Sequence, residues 1–133
     1  MRQPWGLLLT AVLLVILVGC GGAPAGTGGG TGSGGGDPAN GEQVFNTGGT
    51  SGIPCASCHT LNGTDLVGPT MQGIGTIAGE RVSGQSAEEY LRESIVNPSR
   101  YVVEGYDDIM NKDYGTRLSE QEIADLIAFL LTQ

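Results

Sequence analysis

Positive charge is scarce in this sequence. Of 133 residues only six are Lys or Arg, against 14 Asp and Glu. One of the six, Arg2, sits in the N-terminal segment, whereas every acid lies at or after Asp37. A domain so acidic repels phosphate, and no basic patch interleaved with aromatics occurs, which excludes nucleic-acid binding. Histidine occurs once and cysteine three times. Apolar/polar alternation long enough for a sheet is missing, so the fold class is all-α. The length allows one small domain and excludes a multidomain enzyme. The paired acids Glu88-Glu89 and Asp107-Asp108 point apart on a helix or loop and read as solvated charge, not as acid/base pairs.

What is present divides into three parts. Met1–Pro4 followed by the apolar run Gly6–Val18 has the n-region and h-region of an export signal and is short for a membrane-spanning helix. The run ends in Leu17-Val18-Gly19-Cys20, which resembles a bacterial lipobox, where the peptide is cut before a Cys that then carries lipid. An uncleaved signal anchor is the alternative. Residues 1–19 are thus expected to be a signal peptide and Cys20 a lipid anchor, holding the protein at the outer face of the cytoplasmic membrane. Ten of the 24 glycines fall in Gly21–Gly36, so residues 20–36 are expected to form anchor and flexible linker, with an r.m.s. span of about 22 Å for the glycine-rich stretch. The folded domain is expected over 37–133.

Three helices can be read within it. Asp37 and Pro38 stand as N-cap and first residue of one. Ser86-Ala87-Glu88-Glu89 is a capping box opening Ala87–Val96, which places Ala87, Tyr90, Leu91 and Ile95 on one face before Asn97-Pro98 stops it. Ser119-Glu120-Gln121-Glu122 opens another helix, whose Ile123, Leu126, Ile127, Leu130 and Leu131 share a face.

The motif that carries chemistry is Cys55-Ala56-Ser57-Cys58-His59. C-x-x-C-H is the attachment signal of c-type haem: the two thiols bond the porphyrin vinyl groups and the adjacent His becomes an iron ligand. Three other readings compete. A structural zinc site needs four ligands where two Cys and one His are present. A thioredoxin-like dithiol needs a preceding strand, and Asn46–Pro54 is a Gly-rich loop. A structural disulfide is the last. Export favours haem c, because it is attached outside the cytoplasm. Met71 and Met110 are candidate sixth ligands, each equally a residue type that fills cores. Tyr101, Tyr106, Arg81 and Arg100 are candidate donors to haem propionates or ordinary surface and packing residues.

From Asp37 onward the chain resembles the small mono-haem class I cytochromes c. Beside the haem motif, the resemblance is carried by Gly41-Glu42-Gln43-Val44-Phe45 and by Leu66-Val67-Gly68-Pro69. It implies that an N-terminal helix crosses a C-terminal helix beside the haem, with Gly41 allowing close approach and Phe45 filling the crossing. It implies that the Pro69 carbonyl accepts a hydrogen bond from His59, fixing the ring. It also implies that Met71 lies on the proximal side and that Met110 is the distal ligand, although Asn111 stands where the family usually has Pro.

A haem with His59 and Met110 as ligands has no vacant position, which leaves one-electron transfer as the function and no enzymatic activity of its own. The chain resembles the mono-haem subunits of alternative complex III, a quinol-oxidising complex, and the cytochrome c domains attached to bacterial oxidases. The implied partners are the membrane, through the lipid, and redox proteins of a respiratory or photosynthetic chain that offer a basic docking patch. An open distal site would instead make a small peroxidase, and an exchangeable Met110 a haem-based gas sensor.

Overall fold

The computed structural model describes residues 35–133. The signal segment 1–19, Cys20 and the linker up to residue 34 lie outside the described residues. The helices are α1 (Pro38–Thr47), α2 (Ile74–Ile77), α3 (Ala87–Val96), α4 (Tyr114–Arg117) and α5 (Glu120–Leu130), joined by loops and single 3₁₀ turns. No strand occurs among the described residues, and the all-α expectation holds.

The ends of the three long helices follow from their caps. Asp37 accepts a 2.9 Å bond from the Ala39 N–H, Pro38 takes the first helical position, and α1 stops at Gly48. There a left-handed φ of 84° turns the Gly48 N–H back onto the Val44 carbonyl at 2.8 Å. α3 and α5 both open on complete capping boxes, Ser86 with Glu89 and Ser119 with Glu122. The last helix is one residue shorter than its apolar pattern: Leu131 was expected on the buried face, yet it follows the helix end and is 39% exposed.

α1 lies across α5. A Cβ on Gly41 would overlap the Asp125 carbonyl oxygen and sit 2.7 Å from the Phe129 Cβ, so only glycine permits this approach. Phe45 packs on Phe129 beside the crossing, ring centres 5.7 Å apart. Ile123 and Leu126 of α5 are fully buried, and Tyr90, Leu91 and Ile95 of α3 close the core, as their spacing requires.

Two acids of α5 are structural. Asp125 is buried, and its carboxylate accepts from the Asp37 N–H at 2.7 Å and from Gln121 Nε2 at 2.8 Å. Gln121 also donates to the Gly35 carbonyl at 3.0 Å, and a Cβ on Gly36 would overlap the Ala124 carbonyl. The last two residues of the stretch read as linker therefore lie against α5. Glu122 accepts from the Ser119 N–H at 2.8 Å, from the Thr50 N–H at 2.7 Å and from the Thr50 hydroxyl. The oxygen of that hydroxyl also lies 2.8 Å from the Arg117 carbonyl oxygen, so its single proton is shared between the two acceptors. The turn Gly49–Ser51, just before the Cys motif, is thereby pinned to the junction of α4 and α5.

Burial pushes the Glu122 carboxyl up, but the bonds from Thr50 and Ser119 together outweigh it and bring the group down to about 2 from an ordinary 4.5. A depressed carboxyl stabilises the fold above its ordinary value, and that contribution is lost as pH falls through the folded value. Glu122→Gln should therefore lower stability at neutral pH and flatten its fall between about pH 4.5 and 2. Denaturant unfolding across that range checks this; a variant with the wild-type pH slope would show that the clamp carries no such linkage.

Candidate haem site

The Cys motif is shaped by one turn. Pro54 enters it extended, Cys55–Ser57 form a 3₁₀ turn, and the N–H groups of Cys58 and His59 both donate to the Cys55 carbonyl, at 3.1 and 3.0 Å. Cys55, Cys58 and His59 consequently line one cleft, whose floor includes Phe45, Leu126 and Leu130. The cleft encloses about 1360 Å³ of empty space, part of it open to solvent. The two thiols are not joined to each other. Burial, with a smaller push from Cys58, raises the Cys55 thiol to about 11, so it stays neutral in a dry setting. The segment before the motif is the end of α1 and a 3₁₀ turn, which gives no thioredoxin-like strand. Among the described residues no group of three or more His, Cys, Asp or Glu could hold a metal ion by itself.

The His59 ring is held in a cradle. Its Nδ1 lies 2.8 Å from the Pro69 carbonyl oxygen. A carbonyl only accepts, so Nδ1 carries the proton and Nε2 is the bare nitrogen, fit to bind a metal. Gly68 lies against the ring: a Cβ there would overlap Cε1 and come within 2.8 Å of Nδ1. The Gly68 N–H donates to the Cys58 carbonyl at 3.0 Å, and the Met71 N–H to the Thr60 carbonyl at 2.7 Å. Residues 58–60 and 68–71 thus form a doubly tied unit on one side of the cleft. These residues fit a c-type haem: two adjacent thiols, one oriented imidazole, and an apolar space beside them.

Met71 and Met110 both line the cleft and are half-buried. Met71 belongs to the His59-bearing unit through its bond to Thr60, whereas Met110 arrives from a separate loop after Tyr106. Asn111 accepts from the Asp113 N–H at 2.7 Å, a local turn at the position where a proline was expected. Of the four candidate propionate donors, Tyr101 and Tyr106 line the cleft, while Arg81 and Arg100 do not. Tyr101 packs edge-on against Tyr90 at 5.7 Å.

Sequence reasoning missed Tyr114, which is buried and donates from its hydroxyl to the Ile53 carbonyl at 3.2 Å, bracing the approach to Cys55. It also missed the demand on Gly68, which shows only once the imidazole is placed. Gly68→Ala should push His59 off Pro69. The expected outcome is a protein that keeps covalent haem on a denaturing gel but has an altered Soret band and binds CO readily. Spectra identical to wild type would remove Gly68 from the cradle.

The cytochrome c family profile matches residues 38–133. A cytochrome c6-like protein of Nostoc sp. (strain PCC 7120 / SAG 25.82 / UTEX 2576) is 30% identical over 94 residues, which cover 71% of this chain and 68% of that protein. The profile spans every helix from α1 to α5, so the chain belongs to the cytochrome c family, carries covalently bound haem c and serves electron transfer with redox partners, without enzymatic activity of its own.

Proposed function

We propose that this cytochrome is a membrane-tethered one-electron carrier whose haem is held by Cys55 and Cys58, with His59 and Met110 as the axial ligands and Pro69 orienting His59. The observation that carries this reading is the convergence on one apolar cleft of both thiols, the oriented imidazole, and a thioether from a different loop. Met71 is tied to the side that supplies His59, so Met110 is the thioether suited to the opposite face. Haem c supplies the one-electron iron couple. The residues set its properties: a Met sulfur is a weak donor that favours Fe(II) and raises the potential relative to a second His. The apolar walls keep water away and limit reorganisation.

The leader supports the tether. With the lipid on Cys20 and a flexible linker after it, the domain would sweep the outer membrane surface while staying attached. The partner would be a redox protein of a respiratory or photosynthetic membrane chain, a quinol-oxidising complex among them. The cleft mouth suits a basic docking patch, since Asp107 and Asp108 border it beside the exposed Val67 and Ile109. Such association weakens as salt is added.

Two experiments test these assignments. Met110→Ala should abolish the far-red charge-transfer band of the ferric protein, lower the potential and let the ferrous protein bind CO, while Met71→Ala keeps the band. Rapid CO binding by the wild type, or an intact band in Met110→Ala, would shift the reading to a peroxidase or gas sensor. Cys20→Ser should release a soluble or precursor form with an unchanged visible spectrum. Retention of that variant in membranes after a high-salt wash would instead indicate an uncleaved anchor.

A further inference from the structure

The stretch that delivers Met110 to the cleft has few fixed points. Residues 101–113 contain no helix. Around Met110 the chain closes on itself: Lys112 pairs with Asp108, and the Asp113 N–H bonds the Asn111 side chain at 2.7 Å. Its tie back toward the end of α3 is an exposed bond from the Ser99 hydroxyl to Asp108, at 3.2 Å. No residue between Pro98 and Met110 is buried. Twelve residues reach at most about 40 Å, so the chain before Met110 sets its position only loosely.

The chain after Met110 is different. The next buried side chain is Tyr114, four positions on, which opens α4 and lines the same cleft. Four residues span at most about 14 Å, so wherever Tyr114 is held, Met110 stays near. Its hydroxyl donates to the Ile53 carbonyl at 3.2 Å, two residues before Cys55. The Ser51 hydroxyl stands farther from that carbonyl, at 3.5 Å, and reaches the Gly48 carbonyl at 2.6 Å, which leaves Tyr114 as its donor. α4 is seated on other sides too. A Cβ on Gly115 would come 3.0 Å from the Val96 carbonyl oxygen, and the Arg117 carbonyl lies 2.8 Å from the Thr50 hydroxyl.

We infer that Tyr114 is the positioning residue for Met110: through its bond to Ile53 it registers the Met110 turn against the backbone that sets Cys55. The Met110 sulfur and the Cys55 attachment point then keep a fixed separation. The inference rests on Met110 being the sixth ligand. It gives a task in electron transfer to a buried hydroxyl that the carrier reading leaves unused, because a ligand held in place reorganises little when the iron changes charge.

The test uses the haem-loaded protein and the variant Tyr114→Phe, which keeps the ring in the cleft wall and removes only the hydroxyl. It should raise the rate of CO binding to the ferrous protein about three- to tenfold, the effect of one modest hydrogen bond. It should also lose the ferric far-red band at lower denaturant than wild type, ahead of the far-UV circular dichroism. Thr50→Val removes the tie at the other end of α4; it should lower the unfolding midpoint yet leave the CO rate within about twofold of wild type. In a Met110→Ala background, Tyr114→Phe should add nothing to CO binding that is already rapid, because the ligand it positions is gone. An unchanged CO rate and band in Tyr114→Phe, an equal CO gain in Thr50→Val, or the same gain with Met110 absent would overturn the inference. A wild type without the band would overturn the Met110 assignment and the role of Tyr114 with it; a wild type with the band but an insensitive Tyr114→Phe would overturn the role of Tyr114 alone.

Discussion

The close crossing of α1 and α5 at Gly41 is the constraint on which the rest of this small domain depends. Contact between Gly41 and the Asp125 carbonyl lets the two ends of the domain be joined by hydrogen bonds that longer separations would forbid. The Asp125 carboxylate reaches the Asp37 N–H, 88 residues away in sequence, and Glu122 reaches Thr50, 72 residues away. These bonds close long loops of chain, which is entropically costly but grows only slowly with loop length. The apolar contacts of Phe45, Phe129, Ile123 and Leu126 at the crossing offset that cost.

From that crossing the site is built outward with a marked asymmetry. The peptide that leaves α1 is braced twice before it reaches Cys55, by Glu122 on Thr50 and by Tyr114 on Ile53. After the motif, the loop back through Gly68 and Pro69 is tied again at Cys58, His59 and Thr60. The side of the cleft bearing the thiols and imidazole is therefore preorganised by the polypeptide. The Met110 side has turns stabilised within themselves and few buried side chains. Stiffness on one side and local bonding on the other follow from where backbone N–H groups find partners, not from composition.

The sequence was most legible where a cap and a period coincide. α1, α3 and α5 were readable because Asp37-Pro38, Ser86/Glu89 and Ser119/Glu122 mark their starts and apolar spacing fixes their faces. The four-residue helices α2 and α4 were not: neither has a side-chain cap, and one turn is too short to show a period. Leu131 continues the apolar pattern but falls at the C-cap, where its N–H still reaches the Ile127 carbonyl at 2.9 Å while its side chain is exposed. Nothing in the sequence singles out Asp125 as a buried acid, because its partner, the Asp37 N–H, is visible only in three dimensions. The C-x-x-C-H motif, Pro69 and Met110 could be singled out from neighbouring residues and family resemblance; the bracing by Tyr114 and the packing of Gly68 against the ring required the fold.

Charge acts on this protein mainly from outside. Arg92, Lys112 and Arg117 are already paired with Glu120, Asp108 and Asp113, all at exposed positions, where such pairs contribute little to stability. Among the described residues, pairing takes up three of the five bases, and the acids in excess leave the surface acidic. A negative field favours the ferric over the ferrous state, while the proposed Met110 thioether and the apolar walls favour the ferrous. The surface charges are screened by water and salt over about 10 Å at 0.1 M ionic strength; the ligand and the walls are not. On the proposed reading the chain separates two tasks, with the cleft setting the potential and the acidic surface selecting which partner comes close enough to exchange an electron.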